Sequence, residues 1–193
     1  MKLKQGNPIS RRLAGLLLAL GILFPLPGWP QAVPSTEQQF KAAFMLNFAK
    51  YTTWPKEALS DTNTALTLGV VGNDLPEDAL KFIKGKPIKD RQMAVIKFND
   101  VADAVARQKE VAGCHILFVG ASEKGNLAEL FKLLDKTNVL TIGEVDGFLE
   151  HGGVINFVVE NKKLRFEIKQ GAAQRANLKL DPQLMKLAKA VKD

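Results

Sequence analysis

Two short loops carry the polar residues that are best placed to bind a ligand. Asn73 and Asp74 follow the apolar run 65–72, and Ser122 follows the apolar run 114–120. Each run has the length and the branched residues of a buried strand, and each loop precedes a segment with helical character. Because open parallel sheets bind ligands beyond the carboxyl ends of their strands, the sequence predicts a small-solute pocket at Asn73, Asp74 and Ser122. Ordinary turns are the alternative, since neither loop has a glycine-rich phosphate-binding fingerprint.

The other residues with catalytic or metal-binding side chains form no recognisable constellation. His115 lies inside an apolar run and His151 in a glycine-rich loop, so too few donors are available for a metal site. Cys114 has no neighbouring base and starts a buried run, where a small inert hydrophobe is the usual role. The carboxylates between residues 144 and 150 could take part in acid–base catalysis, but acidic residues are equally expected in a solvent-exposed loop. We expect a non-enzyme without metal or cofactor, although a hydrolase with residues converging from distant positions remains an alternative.

The first 32 residues have the layout of a secretory signal peptide. Small residues and prolines follow the apolar stretch 13–26 as far as Ala32, and four basic residues precede it: Lys2, Lys4, Arg11 and Arg12. The apolar stretch is short for a membrane span, so an uncleaved anchor is the weaker alternative. We predict export to the periplasm, cleavage near Ala32 and a single mature domain over residues 33–193.

The charge balance of the mature chain argues against a nucleic-acid partner. Lys and Arg number 27 against 20 Asp and Glu, but four of the basic residues lie in the predicted signal peptide. The excess that remains is too small to indicate a strongly basic face. The chain has one cysteine, so it cannot form an internal disulfide in an oxidising compartment and must rely on its core.

Helical and strand-like segments alternate along the mature chain. A helix over 36–53, capped by Ser35, carries an aromatic stripe that indicates a core-facing surface. Ser122 is predicted to cap the helix over 126–134. Strands and helices then follow at 65–72, up to Ile83, 92–98, 101–109, 114–119, 126–134 and 139–142. This order predicts a three-layer α/β sandwich whose mainly parallel sheet resembles a flavodoxin-like or receiver-like layout.

The pattern changes near the C-terminus, where two alternating runs flank a short polar turn. Runs 154–160 and 164–168 predict an antiparallel hairpin that closes one edge of the sheet. Within the second run, Arg165 and Glu167 should share one face and Phe166 the other. A short helical turn at 172–176 precedes a last helix that starts at Asp181-Pro182, with a buried stripe of Leu184, Leu187, Ala188 and Val191.

Several of these segments together resemble the YfiR-like periplasmic family. The quoted stretches are FKAAFMLNFAKY (40–51) closed by Trp54-Pro55, LGVVG (68–72), CHILFV (114–119), GGVINF (152–157), LRFEI (164–168) and the C-terminal stretch 178–188. Each stretch alone is common, but their order, spacing and position behind a signal peptide are specific. The resemblance covers almost the whole mature chain.

The resemblance implies a regulator rather than an enzyme. Such proteins bind the periplasmic sensor portion of an inner-membrane diguanylate cyclase and repress it, which lowers cyclic di-GMP in the cell. It also implies release by an outer-membrane lipoprotein, dimerisation and small-ligand binding. Two departures matter: Cys114 stands alone, which removes redox control through internal disulfides, and Lys169 replaces the asparagine that often follows the Phe-Glu-Ile motif.

The partner surface is predicted from residue types that favour interfaces. Tyr51 and Trp54 at the end of the first helix and Arg165 on the hairpin are candidate anchors, since aromatic and arginine side chains dominate binding energies. Lys169 is the fourth candidate, because it departs from the family pattern. Two alternatives to the cyclase remain open, namely a periplasmic small-solute-binding module and a regulator of a sensor histidine kinase.

Overall fold

A mixed sheet of eight strands forms the centre of the fold, in the order β10-β8-β7-β6-β5-β2-β4-β3. The computed structural model describes residues 36–59 and 65–193, and the predicted signal peptide and the predicted cap Ser35 lie outside these residues. Two further strands, β1 and β9, form a separate antiparallel pair. The strands are β1 (Thr52–Thr53), β2 (Leu66–Val71), β3 (Pro87–Ile88), β4 (Arg91–Phe98), β5 (Ile116–Val119), β6 (Leu140–Gly143), β7 (Ile155–Glu160), β8 (Lys163–Lys169), β9 (Lys179–Leu180) and β10 (Ala190–Lys192).

Parallel pairing joins the strands from β4 to β7, and antiparallel pairing occurs on both sides of them. β2 pairs in parallel with β4 and β5, and β6 pairs in parallel with β5 and β7. The pairs β3-β4 and β7-β8 are antiparallel, so the sheet is not wholly parallel. The predicted α/β architecture with an antiparallel C-terminal hairpin is confirmed at that level, and the flavodoxin-like layout stays a prediction.

Helices cover both faces of this sheet. They are α1 (Glu37–Lys50), α2 (Glu77–Ile83), α3 (Val101–Ala106), α4 (Gln108–Ala112), α5 (Leu127–Leu133), α6 (Gln170–Arg175) and α7 (Pro182–Leu187). Ile116 and Phe118 of β5 join one core with α1 and α2, whereas Leu117 and Val119 join a second core with α3 and α5. Because both faces of β5 are buried, its sequence is an unbroken apolar run rather than an alternating one.

The first helix is shorter than the prediction of 36–53 and has a different cap. The side chain of Thr36 accepts a hydrogen bond from the backbone N–H of Gln39 at 3.2 Å, and α1 ends at Lys50. Phe44 and Phe48 contact aromatic rings of the hairpin, and the centroids of Phe48 and Phe166 lie 4.9 Å apart. The aromatic stripe therefore joins α1 to the hairpin, as a core-facing helix requires.

The C-terminal prediction was wrong in two respects. Helix α7 ends at Leu187, and Ala188 adopts an extended backbone that leads into β10. β10 pairs in parallel with β8, so the hairpin does not form the edge of the sheet. Of the predicted stripe only Leu184 is buried, while Leu187 and Val191 are exposed. Pairing with β8 satisfies the backbone groups of this segment through a strand that is not adjacent in sequence, and helical periodicity does not reveal such pairing.

Two local predictions on the face of the sheet that α3 and α5 cover were also wrong. The segment 101–109 forms two helices that meet at Arg107, whose backbone is not helical. Ser122 does not cap a helix, because it lies in a 3-10 segment, Ala121–Asn126, and its hydroxyl donates elsewhere.

Candidate functional site

The predicted ligand residues do come together at the carboxyl ends of β2 and β5. The Ser122 hydroxyl donates to Asp74 Oδ2 at 2.8 Å, although the two residues are far apart in sequence. Gly120 is required here, since a Cβ at this position would overlap the Asp74 carboxylate. Asn73 is exposed and accepts a hydrogen bond from Lys97 Nζ at 3.3 Å. Whether these residues bind a solute stays a prediction.

Glu123 completes this group and was missed by the sequence analysis. It is 5% exposed, and its Oε2 accepts from the backbone N–H of Val101 at 3.0 Å. Its Oε1 lies 3.2 Å from the Ser122 hydroxyl. We call Asn73, Asp74, Ser122 and Glu123 the carboxyl-end cluster. Its side chains bond to one another and to neighbouring loops, so the cluster holds three chain segments together.

A buried lysine lies at the same end of the sheet. Lys41 of α1 pairs with Glu144, which follows β6, and with Glu37 at 3.0 Å. Burial of the Lys41 ammonium opposes its protonation, but the hydrogen bonds to Glu144 and Glu37 outweigh this effect and raise the pKa of Lys41. Glu144, suggested earlier as a member of a carboxylate pair, thus neutralises a lysine and fixes the start of α1.

Trp54 and His115 lie at the opposite, amino end of the sheet. Trp54 is 6% exposed, and its indole N–H donates to the His115 carbonyl at 3.2 Å. His115 Nδ1 accepts from the backbone N–H of Thr67 at 3.1 Å, so the neutral ring carries its proton on Nε2, facing the Ala58 carbonyl. Burial lowers the pKa of His115, and the charge of Arg91 adds to this effect. The Trp54 side chain therefore contributes to the core rather than to an open surface.

Cys114 is buried beside this histidine. Its Sγ donates to the Glu110 carbonyl at 3.3 Å, and burial raises the pKa of the thiol to about 11. At neutral pH the group is therefore protonated and a poor nucleophile. The residue acts as a small core hydrophobe, in agreement with its position in the sequence.

The remaining predicted partner residues occupy different environments. Arg165 is exposed on β8 opposite Val158, with Phe166 on the buried face as predicted. Lys169 is half-buried, and its ammonium donates to the Leu149 carbonyl at 3.1 Å, which ties β8 to the loop before β7. Tyr51 is half-buried at the end of α1. The structure does not bring these residues together into one surface.

Exposed apolar side chains surround the hairpin instead. Within the described residues, the large apolar side chains that are exposed are Phe40, Val159, Leu187 and Val191. Val159 is 66% exposed near the hairpin tip, and Phe40 lies one helical turn before Phe44, which packs on the hairpin rings. We call Phe40, Val159 and Leu187 the hairpin surface.

Neither a metal site nor a membrane span is found in the described parts of the chain. Among residues 36–59 and 65–193 no group of three or more His, Cys, Asp and Glu side chains is arranged to hold a metal ion. Within the same ranges no helix has the length and apolar character that crossing a bilayer requires.

A family model described as YfiR/HmsC-like matches residues 38–189, which is most of the chain. The chain belongs to the YfiR/HmsC-like family. This match confirms the resemblance that the sequence motifs indicated, and it spans both the helix α1 and the C-terminal hairpin.

The other comparisons support the fold and add no activity. A solved structure of a conserved domain protein from Vibrio cholerae O1 biovar El Tor is similar, with a TM-score of 0.52 and 11% sequence identity. The similarity covers 81% of this chain and 60% of that one, so the chain spans less than two thirds of that structure's length. No protein with a curated description matches the sequence.

Proposed function

We propose that this protein is a non-catalytic periplasmic regulator that binds and represses the periplasmic sensor portion of an inner-membrane diguanylate cyclase. The observation that carries the proposal is the match to the YfiR/HmsC-like family over residues 38–189. A repressor that acts by binding needs a surface complementary to its partner and needs no catalytic activity. The proposal includes an outer-membrane lipoprotein that competes for the regulator and thereby releases the cyclase.

The hairpin surface is the part of the molecule that best suits such a partner. The backbone N–H of Lys189 donates to the Phe166 carbonyl at 2.8 Å, and its ammonium lies 3.0 Å from Glu160 Oε1. The segment that follows α7 therefore runs beside the hairpin and brings Leu187 to the same end as Val159. Exposed apolar groups on the surface of a folded domain are candidate interaction sites.

The hairpin surface is also well supported from beneath. Phe44 packs between α1 and the hairpin, with ring centroids 6.1 Å from Phe157 and 5.7 Å from Phe166. Side chains that sit on such a rigid aromatic base lose little conformational freedom when a partner covers them. Arg165 lies on the other face of β8 and would contact the partner only at the margin of this surface.

The first experiment measures intracellular cyclic di-GMP in the source cell with the gene present, deleted and restored on a plasmid. We expect the level to rise on deletion and to fall on complementation. An unchanged level would contradict the cyclase as partner and would direct the search to another membrane sensor, such as a histidine kinase.

The second experiment tests the surface itself. Complementation with Val159→Glu/Leu187→Glu should fail to lower cyclic di-GMP, because two buried carboxylates oppose docking. Ala102→Glu/Gln108→Glu, at exposed positions on α3 and α4, adds the same two carboxylates as the matched control and should complement fully. If both double variants repress equally, the hairpin surface is not the docking site. An unchanged affinity of Arg165→Glu for the partner would likewise remove the predicted role of Arg165.

A further inference from the structure

A pocket of about 350 Å³ opens where the end of α1 meets the β3-β4 turn and the pair β1-β9. Its volume is in the range that small-molecule sites occupy. Three lysines line it together with four other residues: Lys50, Lys89, Lys179, Tyr51, Thr53, Leu180 and Asp181. We call this site the lysine pocket.

Long-range contacts build the lysine pocket. Thr53 pairs with Lys179 in the β1-β9 ladder, and the backbone N–H of Asp181 donates to the Tyr51 carbonyl at 2.9 Å. The ammonium of Lys89 donates to the Thr52 carbonyl at 3.2 Å and so joins the β3-β4 turn to the same wall. Three separate chain segments thus each contribute one lysine.

The three ammonium groups have no acidic counterpart. Lysines 41, 124, 189 and 192 form ion pairs, whereas within the described residues no carboxylate lies within 4.0 Å of Lys50, Lys89 or Lys179. The lining includes one carboxylate, Asp181, whose Oδ1 accepts from the Gln183 backbone N–H at 2.7 Å as the cap of α7. Three lysines around one concave site raise the local positive potential, which attracts an anion.

Lys89 has a left-handed backbone conformation, which Lys136 and Lys162 also show outside the pocket. The φ of Lys89 is 55°, a left-handed conformation that favours glycine or asparagine in a two-residue hairpin turn. A lysine here costs roughly 1 kcal/mol in backbone strain. The turn therefore carries an ammonium group at a position where glycine would fit with less strain, and it directs that group at the pocket wall.

The lining also suits the chemistry of phosphate. Lysine acts as a compact point charge for phosphate oxygens. Tyr51 and Thr53 line the same pocket and carry hydroxyl groups that can donate hydrogen bonds, while Leu180 supplies an apolar side chain. We propose that the lysine pocket binds a phosphate group carried by a small phosphate ester or by the headgroup of an anionic phospholipid.

The test uses the protein purified in the form that its cell produces, and it has two arms. Calorimetry with inorganic phosphate and with glycerol 3-phosphate, at constant ionic strength and with chloride as the reference anion, measures binding of soluble phosphate. Cosedimentation with vesicles of equal parts phosphatidylglycerol and phosphatidylcholine, against pure phosphatidylcholine vesicles, measures binding of headgroups. Binding in the first arm supports a phosphate ester as ligand, and binding in the vesicle arm alone supports a lipid.

Variants decide whether the pocket is responsible. Lys89→Gln/Lys179→Gln should raise the Kd about tenfold for each lysine removed, because each charged hydrogen bond to phosphate is lost. The matched control Lys109→Gln/Lys132→Gln removes the same charge from exposed helix positions and should leave the Kd within about twofold. Lys179→Arg keeps the charge and should retain binding.

Two results would overturn the proposal. One is the absence of saturable binding in both arms, and the other is an equal loss of affinity in the pocket variant and the matched control. Circular dichroism and urea unfolding show whether each variant is folded. Lys50→Gln replaces any double variant that does not fold.

Discussion

The two ends of the sheet differ in whether their charged side chains are paired. At the carboxyl end, Lys41 pairs with two glutamates, and Asp74 and Glu123 accept hydrogen bonds from Ser122 and from the Val101 backbone. At the amino end, the lysine pocket holds three ammonium groups without a carboxylate partner. The carboxyl end, where an α/β sheet usually binds ligands, uses its polar groups to join its own loops. The two ends therefore differ in whether their charged side chains are paired within the protein.

The largest expected effect tests the paired end. Lys41→Met keeps most of the side-chain volume but leaves the nearly buried Glu144 without its partner, and should lower the free energy of unfolding by about 3 kcal/mol. Lys124→Met removes the exposed salt bridge to Asp146 at the same end. This variant should change the free energy of unfolding by about 0.5 kcal/mol or less. Urea unfolding at pH 7 measures both. Equal small effects would contradict the structural importance of the buried pair.

A slightly smaller effect is expected at Glu123. Glu123→Ala leaves the buried N–H of Val101 without an acceptor, which should cost about 2 kcal/mol in the free energy of unfolding. Glu129→Ala, at an exposed position on α5, should change it by about 0.5 kcal/mol or less. If the two alanine variants unfold at the same urea concentration, Glu123 does not hold the carboxyl-end loops together.

The amino end should show a pH dependence from His115. Burial lowers the pKa of His115 in the folded state, so on acidification the unfolded chain takes up a proton that the folded chain does not. The contribution of the uncharged His115 to the free energy of unfolding is fully present above the usual histidine pKa. The free energy of unfolding decreases as the pH falls below about 6.5, by at most about 1.4 kcal/mol per pH unit. Urea unfolding between pH 7.5 and 5 should show this slope, and His115→Gln should reduce it. A slope of the same size in His115→Gln would assign the effect to other groups.

The smallest effect on stability is expected at the lysine pocket. Lys89 and Lys179 have no carboxylate partner, but Lys89→Gln also removes the hydrogen bond from the Lys89 ammonium to the Thr52 carbonyl, so Lys89→Gln/Lys179→Gln should lower the free energy of unfolding by about 1 kcal/mol. Unfolding in low and high salt provides the measurement, and added salt should reduce any difference from the parent protein. A loss comparable with that of Lys41→Met would show that these lysines are structural, which would contradict the contrast between the two ends.

Sequence patterns located most of the strands and helices because burial has a local signature. The runs at 65–72, 114–119 and 139–142 correspond to β2, β5 and β6, and the alternation around Phe166 placed Arg165 on the correct face. The very short strands β1, β3, β9 and β10 were missed. A strand of two or three residues has no periodicity of its own and forms only because a distant strand offers hydrogen bonds.

The candidate sites were recovered unevenly for the same reason. Asn73, Asp74 and Ser122 were placed at one end of the sheet, since loops that follow parallel strands meet there. Trp54 was expected at a surface and is buried against His115, because the sequence does not say which side of a helix end the chain turns toward. Glu123 carried no local signal that distinguishes it from an exposed acid in a loop.

The sequence by itself determined the succession of the longer helices and strands, the inert role of Cys114 and membership of the YfiR/HmsC-like family, because these depend on local periodicity, residue type and motif order. Only the tertiary structure decided which charges are paired. Lys41 meets Glu144, Glu123 meets the Val101 backbone, and three lysines converge beside Tyr51. Such encounters depend on β-pairing and helix packing between segments far apart in the chain, and no spacing along the sequence encodes the distances that result.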